Sequence, residues 1–197
     1  MALKTLFRNR VRSYLFICLL GLLAGGLVAG FSRFPFDTLW SFSSFSSATI
    51  GFWMFTTSLI VVTSESPHTA GINAGIYAGV MFVVTDLHKT ARLFQAGYAF
   101  SDELSVRVLS TLFYGAVPAV LCGALGAILW NGRKGSWYGR ALLLLPLLFI
   151  AAEGIGMYCR VLKEGRMLFQ ALLDTACAAL YFLAVRRSLF QRNSKNQ

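Results

Sequence analysis

Charge is what this sequence has least of. Only 13% of its 197 residues are Asp, Glu, Lys or Arg, and just eight are acidic, whereas a soluble domain carries about a quarter of charged residues. Histidine is nearly absent too, with His68 and His88 alone. No H-E-x-x-H, G-x-S-x-G, Walker A or C-x-x-C pattern occurs, so the usual signatures of a zinc protease, a serine hydrolase, a nucleotide-hydrolysing motor and a dithiol site are missing. The four cysteines, Cys18, Cys122, Cys159 and Cys177, fall inside or at the ends of apolar runs. They read as small buried apolar side chains, with no metal ligand set, cofactor or disulfide framework expected. The expectation is a non-enzyme with no catalytic residues.

What remains is apolar: 56% hydrophobic residues and a mean hydropathy of +0.63. Together with the shortage of charge, this predicts an all-α polytopic bundle, one integral membrane domain over 1–197 whose first partner is the lipid bilayer. The net charge of +10 does not imply nucleic acid. The basic residues sit in short segments between apolar runs, where they act as topology signals beside anionic headgroups. About six spans are expected, near 14–31, 48–62, 71–85, 106–130, 141–159 and 168–185. The first is long enough to be a retained helix rather than a cleaved signal segment.

Between the first two spans lies Arg33-Phe34-Pro35-Phe36-Asp37-Thr38-Leu39-Trp40 and a serine-rich stretch containing Phe42 and Phe45. This composition suits the headgroup zone, as a re-entrant cap or an interfacial loop. Beyond the third span, Leu87, Ala91, Phe94 and Tyr98 share one helical face, the pattern of a short amphipathic helix in the interface. Ser101-Asp102-Glu103 reads as the start of the fourth helix. With six spans, eleven Lys and Arg fall on the side of the termini and seven on the other. Both termini are then expected in the cytoplasm, the membrane being a bacterial-type plasma membrane.

The strongest chemical signal is the last hairpin. Glu153 lies seven positions before Arg160, and Asp174 eight after Arg166, so antiparallel helices place both acids at matching depth, roughly 10–12 Å from the connection. Ionisable groups in hydrocarbon cost several kcal/mol and mark functional sites by default. Glu153, Met157 and Arg160 share one face, as do Arg166, Gln170 and Asp174, which predicts a polar seam from the interface to the acids. Two readings stay open. The acids line a solute- or proton-binding site with Arg160, Arg166 and Gln170, and with Asn73 more weakly; or they pair with Arg160 or Arg166 and hold helices together. An acid–base dyad lacks any nucleophile or metal shell around it.

Small residues recur every fourth position: Gly21, Gly25, Ala29 in the first span, Gly71, Gly75, Gly79 in the third, Gly115, Ala119, Gly123 in the fourth. Such faces let helix backbones approach closely, inside the chain or against a membrane partner. Six spans in under 200 residues, a small-residue face on the first helix and an aromatic first external loop resemble the substrate-binding S subunits of energy-coupling-factor vitamin transporters. The resemblance is one of layout. It implies a transport-related protein that binds a small solute between helices, with Gly21, Gly25 and Ala29 standing where that family docks on a transmembrane partner. The alternative is a non-catalytic accessory or structural subunit of a larger membrane complex.

Overall fold

The computed structural model describes residues 10–46, 50–95, 104–134 and 136–190. Among the described residues the fold is all-α, with six helices: α1 (Arg10–Phe31), α2 (Ile50–Thr63), α3 (Pro67–Gln95), α4 (Leu104–Trp130), α5 (Trp137–Glu164) and α6 (Leu168–Phe190). Two 3-10 turns, Phe42–Ser46 and Asn131–Lys134, join them. Five of the helices are long and apolar enough to cross a membrane, so this is a polytopic helical membrane protein. The exception is α2. Its 14 residues reach about 21 Å at 1.5 Å per residue, short of a ~30 Å hydrocarbon core. The expected six spans are therefore five and a short helix.

The third helix also departs from expectation. No separate interfacial helix follows residue 85; α3 continues unbroken to Gln95. The cause is local and tertiary. No Gly or Pro interrupts residues 80–95, and the polar residues there find partners on α4. Thr111 donates to Asp86 Oδ2 at 2.5 Å, and Arg107 donates from Nε to Thr90 Oγ1 at 3.0 Å. Tyr98 and the Ser101-Asp102-Glu103 helix start lie outside the described residues.

α3 is the central element, and its neighbours reach it through small residues. A Cβ on Gly21 would stand 3.0 Å from the Tyr77 carbonyl, and one on Gly25 would stand 2.8 Å from that of Met81, so α1 runs parallel to α3. A Cβ on Gly71 would stand 2.9 Å from the Gly123 carbonyl, and one on Gly75 at the same distance from that of Ala119, so α4 runs antiparallel to it. Ala29 is buried as well. α2 packs between α3 and the α5–α6 hairpin, with Tyr77 donating to Thr56 at 2.9 Å. The hairpin closes where Tyr181 donates to the Leu143 carbonyl at 3.2 Å. At the hairpin's connection α5 ends on Gly165 at φ +66°, a left-handed conformation that glycine adopts without a steric penalty. These directions put the start of α1 and the end of α6 at the same end of the bundle, with the 64–66 and 131–136 turns.

Candidate functional site

α2 starts where the two acids meet. The Gly51 backbone N–H donates to Glu153 Oε2, so a carboxylate from α5 caps the positive end of a short helix. Asp174 of α6 lies beside it. A Cβ on Gly51 would stand 2.5 Å from Asp174 Oδ1 and 2.9 Å from Glu153 Oε2. The absence of a side chain at this position lets both carboxyl groups come up against the start of α2. Gly154 makes the same allowance on the other side, its would-be Cβ falling 3.3 Å from Asp174 Cβ. One turn before Asp174, Gln170 donates from Nε2 to Asp174 Oδ1 at 3.0 Å.

Asp174 and Gln170 are fully buried, and among the described residues Asp174 Oδ2 and Gln170 Oε1 have no hydrogen-bond partner. Both orphans are acceptors, and a buried acceptor without a donor costs about 1–3 kcal/mol, more when charged. No Lys or Arg supplies the donor. Among the described residues the ion pairs are Arg107–Asp86 and Arg166–Asp37, and neither touches the cluster.

The candidate residues thus divide. Glu153, Asp174 and Gln170 come together. Arg160 is exposed, and Arg166 turns outward to Asp37 at 3.7 Å, a half-exposed side chain meeting a solvated one; such a surface pair contributes little. The expected polar seam is interrupted, because Met157, Met167 and Ala171 bury one another between the arginines and the acids. Asn73 lies near the opposite end of the bundle, donating to Ser64 Oγ at 3.4 Å beside a separate cavity of 190 Å³.

A lid of aromatic rings covers the acid end. Phe31, Phe42 and Phe45 gather on Phe169 at the start of α6, with ring centres 5.3, 4.9 and 6.0 Å from it, and Phe45 meets Phe52 of α2 at 5.0 Å. The Leu168 N–H donates to the Leu39 carbonyl at 3.1 Å, tying the first loop to the last hairpin. Ser41, at φ +42°, folds the loop back, its hydroxyl within 2.6 Å of the Phe36 and Thr38 carbonyls. No protein-family model, characterised protein or solved structure matches this chain. Its site is therefore read from its chemistry.

Gly51 escaped the sequence reading. It belongs to no four-residue small repeat, and its purpose depends on two acids more than a hundred residues away. The Asp86–Arg107–Thr111 link was also missed, although Asp86 with Thr90 and Arg107 with Thr111 at i, i+4 on neighbouring helices carried a signal for it.

Proposed function

We propose that this chain is a non-catalytic, transport-related membrane protein that binds a small solute at the start of α2, beneath the aromatic lid. Glu153, Asp174 and Gln170 make the contacts; Arg160, Arg166 and Asn73 take no part. The observation that carries the reading is the pair of unpartnered buried acceptors, Asp174 Oδ2 and Gln170 Oε1, at the start of a helix too short to span. Discontinuous helices with polar groups at their ends are a common way for transporters to build a site within the bilayer. An acid pair kept only for helix packing would be expected to have its oxygens satisfied by protein donors. The reading places the protein in a bacterial-type plasma membrane, with the lid outward.

The accessory-subunit alternative loses its proposed docking surface, since the glycine faces of α1, α3 and α4 are spent on one another. The decisive experiment is native mass spectrometry of the protein extracted gently from its own membrane. A bound small molecule should accompany the wild type and be lost from folded Glu153→Gln and Asp174→Asn proteins. A ligand that persists in both variants, or no ligand at all, sinks the assignment.

A further inference from the structure

A second feature adjoins the acid cluster. Between α2, α3, α4 and α5 lies a cavity of about 490 Å³ with almost entirely apolar walls, a volume in the range of small-molecule sites. Both prolines inside helices, Pro118 of α4 and Pro146 of α5, line it. Ile50, the residue before Gly51, lines it as well. On α5 the lining residues are Leu142, Leu145, Pro146 and Phe149. Glu153 follows four positions after Phe149, eleven after Leu142, and so continues the same helical stripe. The apolar wall of α5 therefore ends on a half-buried carboxylate, with Asp174 and Gln170 behind it.

We infer that the solute is an amphipathic organic cation, its apolar body in this cavity and its N–H-bearing cationic head at Glu153 and Asp174. The inference rests on the solute-binding reading and names the ligand class. Three observations select that class. The positive end of α2 already has one carboxylate on the Gly51 N–H and a second, Asp174, beside it, so a further anion would meet two carboxyl groups of its own sign. The orphaned atoms are acceptors, and an ammonium head supplies donors together with a charge opposite to that of the carboxyl groups. The adjoining space offers an apolar molecule more contact than a small hydrated ion could use. The cluster's lid side is covered by Met157, Met167 and the aromatic rings, whereas the cavity lining stops at Ile50 and Phe149, one residue before Gly51 and one helical turn before Glu153.

The test uses the full chain in nanodiscs of phosphatidylcholine, whose zwitterionic surface does not concentrate cations. The probes are 4-phenylbutylamine, its uncharged alcohol and its carboxylate analogue, measured by equilibrium dialysis. Saturable binding of the amine is expected, at least about tenfold tighter than that of the alcohol, with none for the carboxylate. Glu153→Gln should weaken amine binding at least about tenfold. Leu125→Trp, which adds bulk at an exposed wall position, should abolish it while the protein remains folded. If Glu153→Gln does not fold, Leu125→Trp and Asp174→Asn carry the test.

Equal binding of amine and alcohol, indifferent to the variants, overturns the inference and marks the cavity as a place for lipid tails. Amine binding that survives Leu125→Trp overturns it too, because the body then lies elsewhere. If the amine does not bind but a co-purified solute does, and is lost in Glu153→Gln, the cation is wrong and the solute site stands. If neither binds, both readings fall.

Discussion

Glycine at position 51 does two things that no other residue can. It offers an unobstructed N–H to Glu153, and it leaves room for Asp174 Oδ1 where a Cβ would stand 2.5 Å away. Gly51→Ala should therefore destabilise the protein by about 1–3 kcal/mol, the cost of overpacking a closed site. The effect should depend on its neighbour. In an Asp174→Ala background the added methyl has space, so the double variant should be more stable than the sum of the single effects predicts, by about 0.5–3 kcal/mol. Thermal unfolding of the four proteins in one detergent completes the cycle. Strict additivity means that the two residues do not meet. The two acids were legible in the sequence because charge in an apolar run is conspicuous and their register follows from helix rise. Gly51 was not, because a glycine's importance lies in what surrounds it. The arginines stand apart from the acids for a related reason. A shared helical face says which way a side chain points, and not that Met157 and Met167 will fill the space between.

Among the elements, α3 shows how a helix of modest hydropathy becomes the centre of a bundle. It contributes glycines toward α4 and receives glycines from α1. The spacing of these small residues was visible in the sequence, whereas their partners were not, since every face of this kind offers the same invitation to any helix. The structure separates structural glycines from idle ones. Gly25 and Gly75 abut backbone carbonyls, but Gly26 and Gly156 have open space around a would-be Cβ. Gly25→Ala and Gly75→Ala should each cost about 1–3 kcal/mol. Gly26→Ala and Gly156→Ala should be neutral or stabilise by up to about 1 kcal/mol, since alanine is the better helix former. Their melting temperatures check the contrast, and a uniform response across the four would contradict the packing. The far end of α3 makes a separate case. Residues 86–95 looked like an interfacial helix because their polar groups are visible in sequence and their α4 partners are not. Asp86→Ala removes the acceptor of Thr111 and the partner of Arg107, at a cost of about 1–3 kcal/mol. Hydrogen exchange over Leu87–Gln95 should then quicken while the 70–80 stretch stays protected. No change in that segment would mean that α4 does not hold it.

At the scale of the whole molecule, the bundle has two unlike ends, and their chemistry assigns them to opposite faces of a membrane. One end carries the lid, with Asp37, Ser41 and six phenylalanine and tryptophan residues between 31 and 45. The other carries Arg133 over the Trp130 ring at 5.5 Å, exposed Lys134, and the exposed interfacial ring of Trp137. Counted along the sequence, eleven Lys and Arg fall in the segments grouped with the termini and seven in the other loops, and short loops rich in them stay in the cytoplasm. The lid should therefore face outward, and with it the proposed solute site. The check is single-cysteine labelling after the four native cysteines are replaced. Thr38→Cys and Leu162→Cys, both exposed at the lid end, should react with a membrane-impermeant maleimide on intact cells. Glu65→Cys and Ser136→Cys, exposed at the other end, should react only after the cells are opened. The reverse pattern would place the lid in the cytoplasm, and a solute held beneath it would then be taken from inside and not from the medium. Labelling of all four on intact cells would show a mixed orientation, and the excess of four basic residues would be too small a bias to set the topology of five spans.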